Sequence, residues 1–235
     1  MAKRSSSSMA ILALLGIDRW TPYELVQHMK RSTIHYIWPR AESKMYEELK
    51  RLASVGYART TADQNDPRRT RYAITPAGRR VLSRWVAEPG SGVFFESEGA
   101  LKVLFAENGT KQQLLATIES MQAQALAVLD RRARVSDEVL RDGPPYPDRI
   151  HQSVLIFDLV DRLTSAVVEW ADFAAARVGN WSSLAPDRAT RADAIRLIAD
   201  IRDQAAALVA SHPPTADAAP QDRPAPRQTR RAPAV

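Results

Sequence analysis

Met45, Leu49 and Leu52 repeat at the i, i+4, i+7 spacing of one helical face, and Gly56 ends the run. Directly behind it, residues 57–61 and 71–75 are short, rich in Tyr, Thr and Ile, and separated by a polar turn at 63–69. A helix stopped by glycine and followed by two such runs predicts a helix–hairpin unit. The residues on either side extend it. Upstream, Ile11, Leu12, Leu14 and Leu15 mark a first helix over about 8–15, with Gly16 as its stop. Thr21-Pro22-Tyr23-Glu24 has the composition of a capping box with proline at the first helical position, which opens a second helix over about 22–30. Trp38-Pro39 interrupts, and the helix carrying the stripe follows over about 41–55. Downstream, Thr75-Pro76 caps a further helix running to about Ala87. Each helix is too short to stand alone and must bury its stripe against the others. The order helix–helix–helix–strand–strand–helix in fewer than 90 residues is that of a winged helix.

The opposite side of the striped helix is polar. Ser43 and Lys44 lie near its start, where a helix entering a major groove places its reading residues. Tyr46 offers a phosphate a hydroxyl, Arg40 suits a backbone phosphate just before the helix, and Tyr23 suits the flanking strand. Arg68, Arg69 and Arg71 arm the hairpin for phosphates or a minor groove. Lys50 and Arg51, further down the helix, have no clear assignment from the sequence. Residues 1–88 hold 16 Lys and Arg against 8 Asp and Glu, whereas residues 89–212 hold 13 against 17. A basic first third joined to an acidic middle suits a polyanionic partner such as double-stranded DNA.

The second zone, 93–212, reads as helical. A short helix is expected over 94–106. Thr110 and Gln113 then form a second capping box, opening a helix to about residue 140, roughly 45 Å long. Leu114, Ile118, Met121 and Leu129 make a near-heptad seam on it. A third helix, about 148–178, is apolar over much of its surface and includes Phe157, Val160, Leu163, Val167 and Trp170. A fourth covers about 188–211. Such wide apolar faces need a partner surface, so these nine residues are the expected dimerisation residues, with an intramolecular helical hairpin as the alternative. Residues 1–8 read as a flexible basic N-terminus, and residues 213–235, with six prolines and no large apolar residue except Val235, as a disordered tail.

Tyr46-Glu-Glu-Leu49-Lys-Arg-Leu52-Ala-Ser-Val-Gly56-Tyr57 resembles the recognition helix of PadR-type regulators. Thr21-Pro22-Tyr23-Glu24-Leu25, Trp38-Pro39 and Arg71-Tyr72-Ala-Ile-Thr75-Pro76-Ala-Gly78 fit the same family, with Ile74 where its pattern has Leu. The resemblance covers about residues 9–88 strongly and 95–180 loosely. It implies a mainly α fold, a winged helix-turn-helix plus a C-terminal helical dimerisation domain with long antiparallel helices. It also implies a homodimeric regulator, usually a repressor, on an inverted-repeat operator. Sensing members of the family answer to phenolic or drug-like compounds, so a small aromatic effector is a possible partner. Trp85, Trp170 and Trp181 would serve either an effector cavity or ordinary core packing.

Other functions find little in the sequence. There are no cysteines, the four histidines lack metal-ligand spacing, and no nucleophile elbow, P-loop or dinucleotide fingerprint is present, so neither a cofactor nor catalysis is expected. No apolar run reaches the ~18 residues of a membrane span, and a cytoplasmic location is expected. The rival reading is a winged helix that binds proteins and not DNA.

Overall fold

The computed structural model describes residues 5–62, 66, 69–93 and 95–212. The expected tail at 213–235, the first four residues and Arg68 lie outside the described residues. The chain divides into two compact units, one of residues 1–89 and 146–161, the other of 90–145 and 162–235. The helical domain expected at 93–212 is thus divided, because residues 146–161 cluster with the winged helix.

The first unit begins with α1 (Ser6–Ile17), α2 (Pro22–Arg31), a single turn α3 (Ile34–Ile37) and α4 (Glu42–Ser54). Strands β1 (Ala58–Ala62) and β2 (Thr70–Ile74) then pair antiparallel, with Ala58 opposite Ile74 and Ala62 opposite Thr70, and α5 (Pro76–Ala87) follows. The expected winged helix is present. Met9, Ile11, Leu12, Leu15, Leu25, Val26, Met45, Leu49, Leu52 and Ile74 are all buried in one cluster, with Leu82 only partly buried against it.

Helix α1 corrects the sequence reading at both ends. It starts at Ser6, so residues 6–8 of the expected flexible segment are helical, and it runs through Gly16 to Ile17. Ser8 is fully buried because its hydroxyl has partners on α4. The other ends follow the sequence closely. On α2 the Thr21 hydroxyl accepts from the Glu24 N–H, and the Glu24 carboxylate accepts from the Thr21 N–H. At the end of α4 the Tyr57 N–H donates to the Leu52 carbonyl and the Gly56 N–H to the Ala53 carbonyl, with Gly56 at φ 75°. That is the Schellman pair, and it needs the left-handed backbone that glycine adopts without a Cβ penalty.

One junction closes the unit. The Thr75 hydroxyl caps α5 by accepting from the Gly78 N–H, and donates to the Gly56 carbonyl. The Thr75 N–H donates to the Tyr57 carbonyl. Gly78 lies against that same carbonyl: a Cβ there would sit 2.2 Å from the oxygen. A third, one-residue bridge joins the α1–α2 linker to the hairpin, with Trp20 and Tyr72 exchanging N–H···O bonds of 3.1 and 2.7 Å. His28 stacks on Trp20 at 4.8 Å and meets the edge of Tyr146 at 5.9 Å. Burial holds its imidazole below the ordinary histidine range.

In the second unit, α6 (Glu98–Leu104) is shorter than expected, starting at its Ser97 cap and giving way to a 3-10 turn at Ala106–Asn108. Helix α7 (Lys111–Asp142) opens with the expected Thr110/Gln113 box. Helix α8 (Ile150–Gly179) begins in the first unit and ends in the second, and α9 (Arg188–Ser211) follows. The start of α7 runs antiparallel to the end of α8. Leu114 and Ile118 are buried with Ala171 and Val178, and the Lys111 ammonium donates to the Gly179 and Trp181 carbonyls. Among the described residues no helix is long and apolar enough to cross a membrane.

The Gly78 contact is testable. Gly78→Ala is expected to cost about 1–3 kcal/mol by overpacking against backbone that cannot yield. Gly90→Ala, where a Cβ meets nothing, is the control. Urea midpoints of the two variants give the comparison; equal midpoints would remove the close approach from the argument.

Candidate nucleic-acid interface

Helix α4 is held by its inner side and offers its outer one. Met45, Leu49 and Leu52 are buried, while Ser43, Lys44, Glu47 and Lys50 are exposed. Lys44 pairs with Glu47 at 3.0 Å, with both side chains about two-thirds exposed (70% and 66%). A pair that wet is worth at most about 1 kcal/mol and exchanges readily for another anion. Ser43 is exposed on the first turn. Tyr46 is half-buried and packs against the core edge, so only part of it is presented outward. Arg40 is exposed before the helix, its guanidinium 4.1 Å over the Trp38 ring. The Trp38 indole is itself fixed, donating to the Ser7 hydroxyl at 3.0 Å. Tyr23 is 65% exposed on the first turn of α2.

Two arginines of this unit are held by carboxylates within the fold. Arg51 is tied to Glu48 by three bonds of 2.6–3.1 Å, and its Nη2 donates to the Ser8 hydroxyl at 2.9 Å; that hydroxyl donates to Glu48. The group interlocks α4 with α1. Hydrogen bonds from Arg51, then from Ser8, hold the Glu48 carboxyl below the ordinary carboxylate range against the opposing effect of burial. Arg71, named above as a candidate DNA contact, grips Glu24 and the Arg19 carbonyl. Arg69, at the hairpin tip, is exposed and pairs with Asp66 at 3.3 Å. Lys30 pairs with Glu42 across the α2–α4 turn, a contact that sequence spacing does not suggest. Ser8, Glu24 and Glu48 were missed as parts of the site because nothing local marks a tertiary partner.

Residues 11–84 match the Transcriptional regulator PadR-like family. That segment is similar to the PadR-like transcriptional regulators. The matched segment runs from within α1 to within α5 and includes Tyr23, Arg40, Ser43, Lys44, Tyr46 and Arg69. Over 175 residues the chain is 25% identical to the probable transcriptional regulator Rv1176c of Mycobacterium tuberculosis, covering 69% of this chain and 92% of that one. Its fold is that of the Bacillus subtilis PadR structures. The one in complex with operator DNA has a TM-score of 0.61 at 21% identity, covering 74% of this chain and 99% of that chain. The one in complex with p-coumaric acid has a TM-score of 0.57 at 22% identity, covering 75% and 100%.

The residues expected at a subunit interface separate into two groups. Leu114 and Ile118 are buried inside the chain against α8, and Val160 is buried as well, so these three are not available to a partner as they stand. An intramolecular pairing of α7 with α8 consumes the first two. Met121, Leu129, Phe157, Leu163 and Val167 are partly covered, and Trp170 is exposed. Trp181 packs on the α7–α8 core, while Trp85 is exposed.

The Ser8–Glu48–Arg51 interlock has a pH signature. A carboxyl whose pKa is lowered on folding contributes stability that is fully present above its unfolded value, near 4.5, and lost as pH falls through the folded value. Glu48→Gln should therefore lower the urea midpoint at pH 7, with the gap to wild type closing below about pH 4.5. A gap that persists unchanged at pH 3 would assign the effect to something other than this carboxylate.

Proposed function

We propose that this PadR-like regulator binds operator DNA as a homodimer, with the first turns of α4 reading the major groove and the hairpin arginines on the flanking backbone. One observation carries the reading: α4 buries Met45, Leu49 and Leu52 and leaves Ser43 and Lys44 in solvent with only an exchangeable partner. Tyr23, Arg40 and Arg69 extend that surface as phosphate contacts. Arg68 belongs to the same proposal from sequence alone. The PadR–operator complex supports it by likeness of fold. A protein-binding winged helix would not need the net positive charge of residues 1–88.

Homodimerisation is supported by apolar surface that one chain leaves in water. Val154, Leu155 and Leu159 on the first half of α8, and Ile195, Ile198 and Ile201 on α9, are all more than a third exposed. Half-site spacing of about 34 Å then calls for an inverted-repeat operator, and repression is the outcome we assign. Release by a small aromatic acid is part of the same proposal, supported by likeness of fold to the PadR complex with p-coumaric acid.

Fluorescence anisotropy on a duplex from upstream of the protein's own gene tests the DNA reading. Affinity should fall steeply with salt, about 0.9 in log–log slope per phosphate contacted. Lys44→Glu should weaken binding by about 100-fold, as expected for losing a base or phosphate contact and adding like charge, with melting temperature unchanged. Wild-type affinity in that variant would remove α4 from the interface. Sedimentation velocity checks the assembly: the full chain should run as a dimer, and Leu155→Asp should shift it toward monomer. A monomeric wild type at micromolar concentration would end the dimer reading.

A further inference from the structure

The least expected arrangement in the basic unit is what Arg71 does. It stands on β2, next to Tyr72, and its side chain is 28% exposed. Its Nη2 donates to Glu24 Oε1 at 3.1 Å, its Nη1 lies 3.1 Å from Glu24 Oε2, and Nη1 donates to the Arg19 carbonyl at 2.8 Å. The first two contacts make the two-pronged guanidinium–carboxylate geometry that gives orientation as well as energy. Glu24 is no ordinary surface acid. Its Oε2 also accepts the Thr21 N–H at 2.9 Å, closing the capping box of α2. One carboxylate therefore joins the start of α2 to the second strand of the hairpin. One residue away, the Trp20–Tyr72 bridge stitches the same linker to the same strand through the backbone.

We propose that Arg71 and Glu24 form a clamp that positions the hairpin on the start of α2, and that Arg71 acts on DNA affinity through this clamp and not by touching DNA. The inference rests on the DNA-binding reading above. A bidentate guanidinium already engaged by a carboxylate and a carbonyl is poorly placed to neutralise a phosphate, since leaving would strand a partly buried carboxylate. The clamp instead fixes the angle at which the hairpin leaves the domain, and so where Arg69 at its tip is carried. The depressed pKa of Glu24 agrees: the Thr21 N–H, then the Thr21 hydroxyl and Arg71, favour its charged form.

A phosphate contact and a clamp predict different things. Phosphate is held nearly as well by a lysine point charge, whereas a two-pronged clamp is not. Arg71→Lys and Arg71→Ala should both weaken operator binding by about tenfold. The slope of log affinity against log salt should stay that of wild type, because no released counterion is lost. Glu24→Gln keeps a capping-box acceptor but loses the charge, so it should give the same loss, and Glu24→Gln with Arg71→Ala should be no worse than either alone. A lysine variant that binds like wild type, a slope reduced by about 0.9, or additive single effects would each make Arg71 a DNA contact and overturn the clamp.

A second measurement needs no DNA. Amide hydrogen exchange at Trp20 and Tyr72 should quicken in both Arg71→Ala and Glu24→Gln while buried amides of α4 keep their protection. Unchanged exchange at those two amides overturns the clamp. Faster exchange in a protein whose wild type binds no duplex keeps the clamp and discards the DNA reading.

Discussion

Everything that α4 can present depends on how α1 holds it. The two helices pack together through the central cluster, in which Ile11, Leu12, Leu49 and Leu52 are essentially inaccessible to water. Apolar packing of this kind fixes distance well and rotation less well, because neighbouring rotations bury similar areas. The Ser8–Glu48–Arg51 group supplies the missing constraint. A buried hydroxyl and a largely buried carboxylate are satisfied only at one rotation of α4 about its own axis. Rolling the helix would leave them unpaired, at a cost of about 1–3 kcal/mol for each group. The direction in which Ser43 and Lys44 point follows from an ion pair one to two turns further along the same helix.

What could be read from the sequence was whatever is decided within a few residues. Both capping boxes, the proline starts of α2 and α5, the Schellman glycine at 56 and the stripe on α4 are local, and each is where the residues place it. The order of elements then followed from burial, since short amphipathic helices have few ways to cover one another. The start of α1 was misplaced for the opposite reason. Ser6, Ser7 and Ser8 read as polar chain, and only the Trp38 indole and the Glu48–Arg51 pair, 31 to 43 residues away, make them helix. Leu114 and Ile118 show the same limit. A near-heptad seam says that a helix wants another helix and does not say whether that helix is its own chain's α8 or a copy's.

The cations of the first unit divide by exposure, and the division matters more than their number. Lys44 and Arg69 are paired at 3.0 and 3.3 Å with side chains about 70% exposed. Water and salt screen such pairs, so an incoming phosphate exchanges with the carboxylate at little cost. Arg51 and Arg71 also stand beside carboxylates, but those carboxylates carry further hydrogen bonds from Ser8 or Thr21 that pin them in place. A cation held by a partly buried, pinned carboxylate is part of the scaffold; a cation whose own side chain is about 70% exposed, as those of Lys44 and Arg69 are, is part of the surface. Net charge alone counts all four alike, which is why the basic first third pointed to a polyanion without saying which side chains would meet it.

The same distinction bears on how the hairpin and α4 act together. If α4 is fixed by α1 and the hairpin by α2, the two halves of the surface are set by separate ion pairs that share no residue. Their common frame is the backbone between them, where the Tyr57 carbonyl accepts from Thr75 and lies against Gly78. That junction ties the end of α4, the start of β1 and the start of α5 within one hydrogen-bonded knot, with no side chain beyond Thr75 involved. Backbone contacts of this kind tolerate little adjustment, because moving one carbonyl disturbs three elements at once. A rigid centre with two independently braced arms is an arrangement in which loosening either brace shifts one part of the surface while the other keeps its place.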